Sequence, residues 1–356
     1  MSEKLDKLRA TFDAREIEAL LVSAPENRRY MSGFTGSAGY LLISRKDAVL
    51  ATDFRYIEQS QQQAPDFSIE RIAGSLTWLP DKMSDMGVRT VGFESDHLTV
   101  AIHSKMTKAL EEGGREATMV ATTGVVEELR AVKTPKEIEL ITRAVEIADT
   151  AMDRVGPTIE PGMTEEQVAW ELEKTMRELG AEGPSFDTIV GAGPNGALPH
   201  HRADGTVIKA GDPVVIDMGA RYQGYCSDLT RTVFIGEADD TFRRIYNTVL
   251  RAQLEAEARV TAGMTGKETD AIARDVIVEA GHGDDFGHSL GHGIGLAVHE
   301  SPGVGPNSDG TIEDGMVFTV EPGIYLPGWG GVRIEDMAVM ENGRARVLSR
   351  ARKLEV

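Results

Sequence analysis

The sequence predicts a mixed α/β (α+β) fold with an N-terminal α/β domain, residues 1–123, and a C-terminal domain, residues 125–356, built from two duplicated αβ units. Over the first third of the chain, short apolar runs alternate with charged stretches of helical length. Over the remainder, a series of short motifs recurs after about 100 residues. The length of 356 residues agrees with two domains of ordinary size.

The N-terminal elements are predicted from apolar runs of strand length and from charged runs with helical spacing. In chain order they are helix 6–20, strands 19–22, 40–43, 48–51 and 91–93, and helix 101–112. A domain boundary is predicted at Thr122-Thr123-Gly124, whose composition is typical of a connection. Beyond it, Thr134, Pro135 and Glu137 predict the capped start of a helix with an apolar face.

The C-terminal domain contains an internal repeat. Gly162-Met163-Thr164 recurs as Gly263-Met264-Thr265, and Gly191-Ala192-Gly193 recurs as Gly291-His292-Gly293. Each copy begins a helix with a capping box, and each has a strand pair beyond its glycines, 214–219 with 226–235 and 317–323 with 331–339. Two copies are too few for a solenoid, so the pattern predicts one αβ unit duplicated about a pseudo-two-fold axis.

Each copy places two carboxylates at equivalent points, Asp217 and Asp228 in the first and Glu321 and Glu335 in the second. All four lie in apolar, strand-rich sequence, where an unpaired charge costs several kcal/mol. The structural alternative is pairing with the arginines at 221, 231 and 333. Three arginines do not satisfy four acids and leave the symmetry unexplained, so a metal site is predicted.

The histidines support a metal site. Six of the eight fall between residues 200 and 299, and His288, His292 and His299 occur among closely spaced glycines. Four carboxylates with one imidazole favour Mn, Co, Fe or Zn over Cu. Two such ions bridged by carboxylates can supply a hydroxide nucleophile and polarise a carbonyl group.

Composition narrows the range of partners and of alternative sites. The formal net charge of −19 argues against nucleic acid or an anionic membrane surface as partner. A single cysteine, Cys226, excludes an intrachain disulfide and a cysteine-cluster zinc site. No signal peptide or membrane span is predicted, and a cytoplasmic location is expected. The Gly191–Gly196 match to G-x-G-x-x-G is rejected because Pro194 and Pro199 prevent the helix that a dinucleotide requires.

These residues resemble a known family. Asp217, Asp228, His292, Glu321 and Glu335, in this order and with these flanking sequences, are similar to the ligand set of the pita-bread metallopeptidases, the creatinase/methionine aminopeptidase superfamily. Segments 31–37 and 52–56 resemble the creatinase-type N-terminal domain of its Xaa-Pro peptidases. The resemblance covers nearly the whole chain and implies a creatinase-like N-terminal domain followed by a pita-bread catalytic domain.

The resemblance also implies roles and partners. Asp217 would bind one divalent ion, His292 and Glu321 the other, and Asp228 and Glu335 would bridge the pair. Glu321 would also act as general base, while the other implied site residues are the substrate-positioning His200 and His299, the pocket residue His288 and a supporting arginine, Arg333. Manganese or cobalt is expected, with zinc or iron as alternatives. The expected substrates are small peptides with proline at the second position, and the expected assembly is a homodimer.

One departure from the family bears on the substrate. Many prolidases carry an arginine a few residues after the His-Glu pair, where it binds the substrate's terminal carboxylate, but here the stretch is Glu300-Ser301-Pro302-Gly303. We therefore expect an Xaa-Pro aminopeptidase, with the Xaa-Pro dipeptidase (prolidase) as the alternative, for which another cation is needed: Arg28, Arg29, Arg45 or Arg55. A catalytically inactive peptide-binding protein is a further alternative, against which the complete ligand set argues.

Overall fold

The computed structural model describes residues 3–74, 76–113 and 117–356. The chain folds into two compact units, Met1–Arg130 and Ala131–Val356. The predicted boundary at Thr122-Thr123-Gly124 lies directly before the helix Val125–Ala131, and the first unit ends within the last turn of that helix, at Arg130. No helix in the described ranges is long and apolar enough to cross a membrane.

The first unit is an α/β domain around one sheet. Its strands lie in the order β4-β3-β2-β1-β5-β6, with β2 antiparallel to both neighbours and the remaining pairs parallel. The elements are α1 (Glu3–Arg9), β1 (Ala19–Val22), α2 (Pro25–Ser32), β2 (Tyr40–Ser44), β3 (Ala48–Thr52), α3 (Ile57–Gln63), β4 (Ser68–Arg71), α4 (Trp78–Asp85), β5 (Thr90–Glu94), α5 (Val100–Glu112), β6 (Thr118–Thr122) and α6 (Val125–Ala131).

The predicted strands of this unit are confirmed to within one residue at either end, but the predicted helix 6–20 is wrong. Helix α1 ends at Arg9, and a short 3-10 helix, Asp13–Arg15, is followed by Glu16 at a φ of 54°. That left-handed conformation stops helical winding and turns the chain into β1. The apolar residues assigned to the end of the helix instead fill the fully buried strand between β2 and β5.

The second unit holds the repeat, and its three predicted capping boxes, at Thr134, Thr164 and Thr265, are all formed. Its elements are α7 (Pro135–Val155), α8 (Glu165–Glu178), β7 (Gly183–Pro184), β8 (Ile189–Ala192), β9 (Pro213–Met218), β10 (Ala220–Tyr222), β11 (Tyr225–Cys226), β12 (Leu229–Phe234), α9 (Asp240–Arg259), α10 (Gly266–Glu279), β13 (Gly291–Gly293), β14 (Glu300–Val304), β15 (Val317–Val320), β16 (Gly323–Leu326), β17 (Gly330–Arg333), β18 (Asp336–Glu341) and β19 (Arg344–Val347).

The two halves of this unit repeat one arrangement. The antiparallel order β12-β9-β8 in the first half matches β18-β15-β13 in the second, which β14 and β19 extend. Each half has its own apolar core, with α7 and α8 against the first sheet and α9 and α10 against the second. The predicted strand 317–323 is interrupted at Glu321, and 331–339 is interrupted at Glu335. The breaks fall at predicted ligands.

Candidate active site

All nine predicted site residues line one cavity of about 560 Å³ within the second unit. Asp217 is on β9, Asp228 directly precedes β12, His292 is in the middle of β13, and Glu321 directly follows β15. The remaining predicted residues around the cavity are His200, His288, His299, Arg333 and Glu335. Because the carboxylates come from the equivalent strands of both halves, the duplication brings them together.

The distances among the predicted ligands suit shared coordination. Ligand atoms of Asp228, His292 and Glu335 all lie within 4.8 Å of one another. His292 Nε2 lies 3.3 Å from Glu321 Oε1 and 3.6 Å from Asp228 Oδ2. These residues offer carboxylate oxygens and one imidazole nitrogen, a donor set suited to borderline divalent metals.

Three carboxylate oxygens test whether the donor set fits a metal. Asp217 Oδ1, Asp228 Oδ1 and Glu335 Oε1 are buried and accept no hydrogen bond from any described residue. A buried acceptor without a partner costs about 1–3 kcal/mol, and more when it is charged. Three such atoms on neighbouring acids around one cavity fit divalent cations, which would satisfy all three at once.

The salt-bridge alternative explains little of this arrangement. Arg333 Nη2 contacts Asp217 Oδ2 at 2.7 Å. Arg231 instead pairs with Asp336 at 2.7 Å. It donates to the backbone carbonyl of Glu335 rather than to the Glu335 carboxylate. Arg221 donates to a backbone carbonyl, that of Ser185. Within the described residues, one of the three arginines thus contacts the carboxylate of a predicted ligand.

Two threonines orient the carboxylates. Thr230 Oγ1 donates to Glu335 Oε2 at 2.7 Å and accepts from Arg333 Nε at 3.1 Å. Thr319 Oγ1 donates to Glu321 Oε1 at 3.0 Å and accepts from the backbone N–H of His292 at 3.0 Å. Sequence reasoning missed both. Each lies two residues from a predicted acid, and strand alternation, which places such residues on one face, is the signal that could have found them.

Tyr325, on β16, was also missed and links two predicted residues. Arg333 Nη1 donates to the Tyr325 hydroxyl at 2.9 Å, and that hydroxyl lies 2.8 Å from His288 Nε2. His288 Nδ1 donates to the Ser289 carbonyl, which leaves Nε2 as an acceptor for the tyrosine proton in the neutral ring. Burial raises the pKa of Tyr325 to about 12 and lowers that of His288.

The carboxylates differ strongly in pKa in the metal-free protein. Burial, together with the neighbouring acids, raises the pKa of Asp228 and Glu335 well above 3.8 and 4.5, respectively. Burial also raises the pKa of Asp217, although Arg333 opposes the shift. Like charges crowded in a desolvated site resist ionisation until a cation compensates them. A bound cation would therefore stabilise the ionised form of these three acids.

Glu321 behaves differently because of His292. Burial opposes ionisation of Glu321, but the hydrogen bond and charge of His292 outweigh it and lower the pKa of Glu321 to about 2. Burial likewise opposes a charge on His292, and Glu321 raises its pKa. Metal ligation requires a neutral imidazole. A bound cation would therefore remove the positive charge of His292 that lowers the pKa of Glu321. Burial and His292 lower the pKa of His299, whose ring centroid lies 4.2 Å from that of His292.

Comparison with known proteins follows the same division of the chain. Residues 4–132 match the Creatinase/Prolidase N-terminal domain, and residues 139–342 match Metallopeptidase family M24. The chain belongs to metallopeptidase family M24. The predicted fold, a creatinase-type domain followed by a pita-bread domain, is confirmed, and so is the prediction of a metal-dependent peptidase.

Solved structures and curated relatives match this chain over nearly its whole length. An Xaa-Pro dipeptidase from Bacillus anthracis is 45% identical, with a TM-score of 0.96 and 99% of each chain covered. An X-Pro aminopeptidase from Thermotoga maritima MSB8 is 39% identical, with a TM-score of 0.90 and 98% of each chain covered. The Xaa-Pro dipeptidase of Pyrococcus furiosus is 37% identical over 99% of this chain and 100% of its own. Relatives of this M24 chain thus carry the names of both Xaa-Pro activities.

Proposed function

We propose that this chain hydrolyses the Xaa-Pro bond at the N-terminus of small peptides, with two divalent cations held by the predicted ligands: Asp217, Asp228, His292, Glu321 and Glu335. The observation that carries the proposal is the group of unpartnered carboxylate oxygens on Asp217, Asp228 and Glu335 around one cavity. The names of the relatives support the substrate class. The cavity volume of about 560 Å³ is that of a small-ligand site.

The residues of the chain divide the catalytic work. When bound, divalent cations supply Lewis acidity and lower the pKa of a water molecule. The Glu321 carboxylate accepts the proton of the attacking water and returns it to the proline nitrogen as the peptide bond breaks. His299, whose pKa is lowered by burial, donates a hydrogen bond to the developing oxyanion together with His200. Arg333 and Thr230 hold the Asp217 and Glu335 carboxylates in place.

The length of the peptide separates two candidate activities. The lack of an arginine after Glu300 favours substrates that continue beyond proline, as an aminopeptidase requires. One observation favours the dipeptidase: Arg202, which sequence reasoning missed, lines the cavity, and 85% of its side chain is exposed. Its guanidinium is available to a terminal carboxylate, since its pairing with Asp187 is a long contact of 3.5 Å at an exposed position.

A substrate panel tests the proposal. Manganese-loaded protein is offered Ala-Pro, Ala-Pro-Ala and Ala-Ala-Ala, and free alanine is measured. We expect release of alanine from the proline peptides and none from Ala-Ala-Ala. Faster turnover of Ala-Pro-Ala supports the aminopeptidase, and turnover confined to Ala-Pro supports the dipeptidase. Failure to cleave either proline peptide contradicts the proposal.

We propose manganese or cobalt as the working metal, because the donor set is rich in oxygen. We also propose a homodimer, which the family resemblance implies, and a cytoplasmic location, which accords with a single, buried, free cysteine.

A further inference from the structure

His200 reaches the cavity on a segment, residues 192–206, that contains little regular structure. A short 3-10 helix, Gly193–Ala197, is followed by turns in which the N–H groups of Leu198 and His201 donate to carbonyls three residues earlier. His200 itself is exposed, so few contacts of its own side chain hold it. Its position therefore depends on what anchors the rest of the segment.

One carboxylate supplies several of these anchors. Glu165, the first residue of α8, is fully buried. Its Oε1 accepts from the backbone N–H of Ala192 at 2.8 Å and from the side-chain amide of Asn195 at 3.0 Å. Its Oε2 lies 2.7 Å from His201 Nε2 and accepts from the Asp204 backbone N–H at 3.3 Å. A single side chain thus fastens the beginning, the middle and the end of the segment.

The other half of the duplicated unit needs no side chain at this point. The counterpart of Glu165 is Gly266, where a Cβ would lie 2.1 Å from the carbonyl oxygen of Gly303. Strand β14, through Gly303, and the loop after it, through Ser308, therefore pack directly against the start of α10. In both halves the first turn of the helix donates backbone hydrogen bonds to its loop, from Glu165 and Glu166 to Thr206 and Asp204, and from Gly266 and Lys267 to Gly310 and Ser308. Glu165 fills a gap that only the first half leaves.

We propose that Glu165 is a positioning residue for catalysis, which fixes His200 in the cavity through its bonds to segment 192–206. The proposal rests on the proposed Xaa-Pro peptidase function. Glu165, His201 and Asp204 are also close enough to hold a cation. The oxygens of Glu165, however, already face four hydrogen-bond donors, and a backbone N–H is not a metal ligand. The geometry therefore points to an anchor.

The first test compares Glu165→Gln with Glu166→Gln, the same substitution at the adjacent, exposed glutamate. The glutamine amide presents N–H groups where a carboxylate oxygen accepts, so the segment loosens around His201 and Asp204. We expect E165Q to lower kcat by between about 10- and 100-fold, with KM little changed and wild-type metal content, because a displaced His200 loses transition-state contact. E166Q should match the wild type.

A double variant separates positioning from general destabilisation. In a His200→Ala background, E165Q should have little further effect on kcat, because the residue through which Glu165 acts is gone. Equal losses in both backgrounds would overturn the proposal. So would a third equivalent of bound metal in the wild type that E165Q removes.

Amide hydrogen exchange provides a readout independent of activity. We expect faster exchange over 192–206 in E165Q, with the rest of the second unit unchanged. Should E165Q fold poorly, His201→Gln removes one anchor at the less buried end, and unchanged exchange in that variant would count against the proposal. If the wild type cleaves no Xaa-Pro peptide, the proposed function fails, while the exchange experiment still decides whether Glu165 anchors the segment.

Discussion

At the scale of single residues, the site is defined by acids whose charges the protein alone does not compensate. Asp228 and Glu335 each have a buried oxygen without a hydrogen-bond partner among the described residues, and both have strongly raised pKa values. Arg333 is fixed on the carboxylate of Asp217, and its other nitrogens donate to uncharged oxygens. In the metal-free protein, protonation removes the buried negative charge at the lowest cost in free energy.

This protonation predicts how stability depends on pH. A carboxyl whose pKa is higher in the folded chain contributes stability below its unfolded pKa, and that contribution is lost as the pH rises through the folded pKa. Asp217, Asp228 and Glu335 act in this direction. Glu321, with a pKa of about 2 against an ordinary 4.5, acts oppositely, and its contribution is lost as the pH falls towards 2. Above pH 4.5 the contribution of Glu321 is complete, so among these four carboxylates the three with raised pKa values determine how stability changes with pH.

We expect the free energy of unfolding of chelated protein to fall as the pH rises from about 5 to about 8, and manganese to reverse the trend by releasing protons on binding. Urea unfolding across that range, with and without manganese, measures both effects. A metal-free stability that rises steadily with pH would contradict this expectation.

At the scale of elements, buried ion pairs and hydrogen bonds join the C-terminal tail to the strands that carry the site. The Arg231 guanidinium pairs with Asp336 and donates to the carbonyls of Glu335 and Ala351. Asp336 also forms an ion pair with Lys353, whose Nζ lies 2.6 Å from Asp336 Oδ2. One buried arginine on β12 thus joins the start of β18, the backbone of a predicted ligand and the residues that follow β19.

We expect Arg231→Gln to lower the free energy of unfolding by at least about 2 kcal/mol, because the buried Asp336 keeps only Lys353 as a charged partner and the carbonyls of Glu335 and Ala351 lose their donor. The matched control is Arg346→Gln, which breaks a pair with Glu341 whose side chains are about half exposed and should cost less than about 1 kcal/mol. Urea unfolding of metal-free protein compares the two. Equal losses would show that the Arg231 network adds nothing beyond a surface pair.

Sequence patterns predict the elements and acids that recur in the two halves of the duplicated unit. The capping boxes at Thr164 and Thr265 and the paired strands were visible because the duplication repeats them. Tyr325 and Glu165 could not be found this way. The Tyr325 hydroxyl meets its partners only once β16 and β17 form a hairpin, and Glu165 has a glycine as its counterpart. Their roles arise from tertiary contacts that no local pattern encodes.

At the scale of the whole molecule, the acidity of the chain divides into two parts. The chain has 57 acidic residues and a formal net charge of −19, and four of these acids are the predicted metal ligands that line the cavity. Two divalent cations would neutralise those four, and the remaining excess disfavours binding to polyanions. The arrangement of the acids, one pair in each half of a duplicated unit, therefore carries more functional information than their number.

The central claim is that these acids make hydrolysis of Xaa-Pro peptides dependent on divalent metal. The most direct measurement titrates manganese into chelated protein and follows release of the N-terminal residue from an Xaa-Pro peptide, beside Glu321→Gln at the same metal loading. We expect turnover to be absent at first, to rise to a plateau at two equivalents, and in E321Q to stay at least about 100-fold lower. Full turnover by chelated protein, or wild-type turnover by metal-loaded E321Q, would contradict the claim.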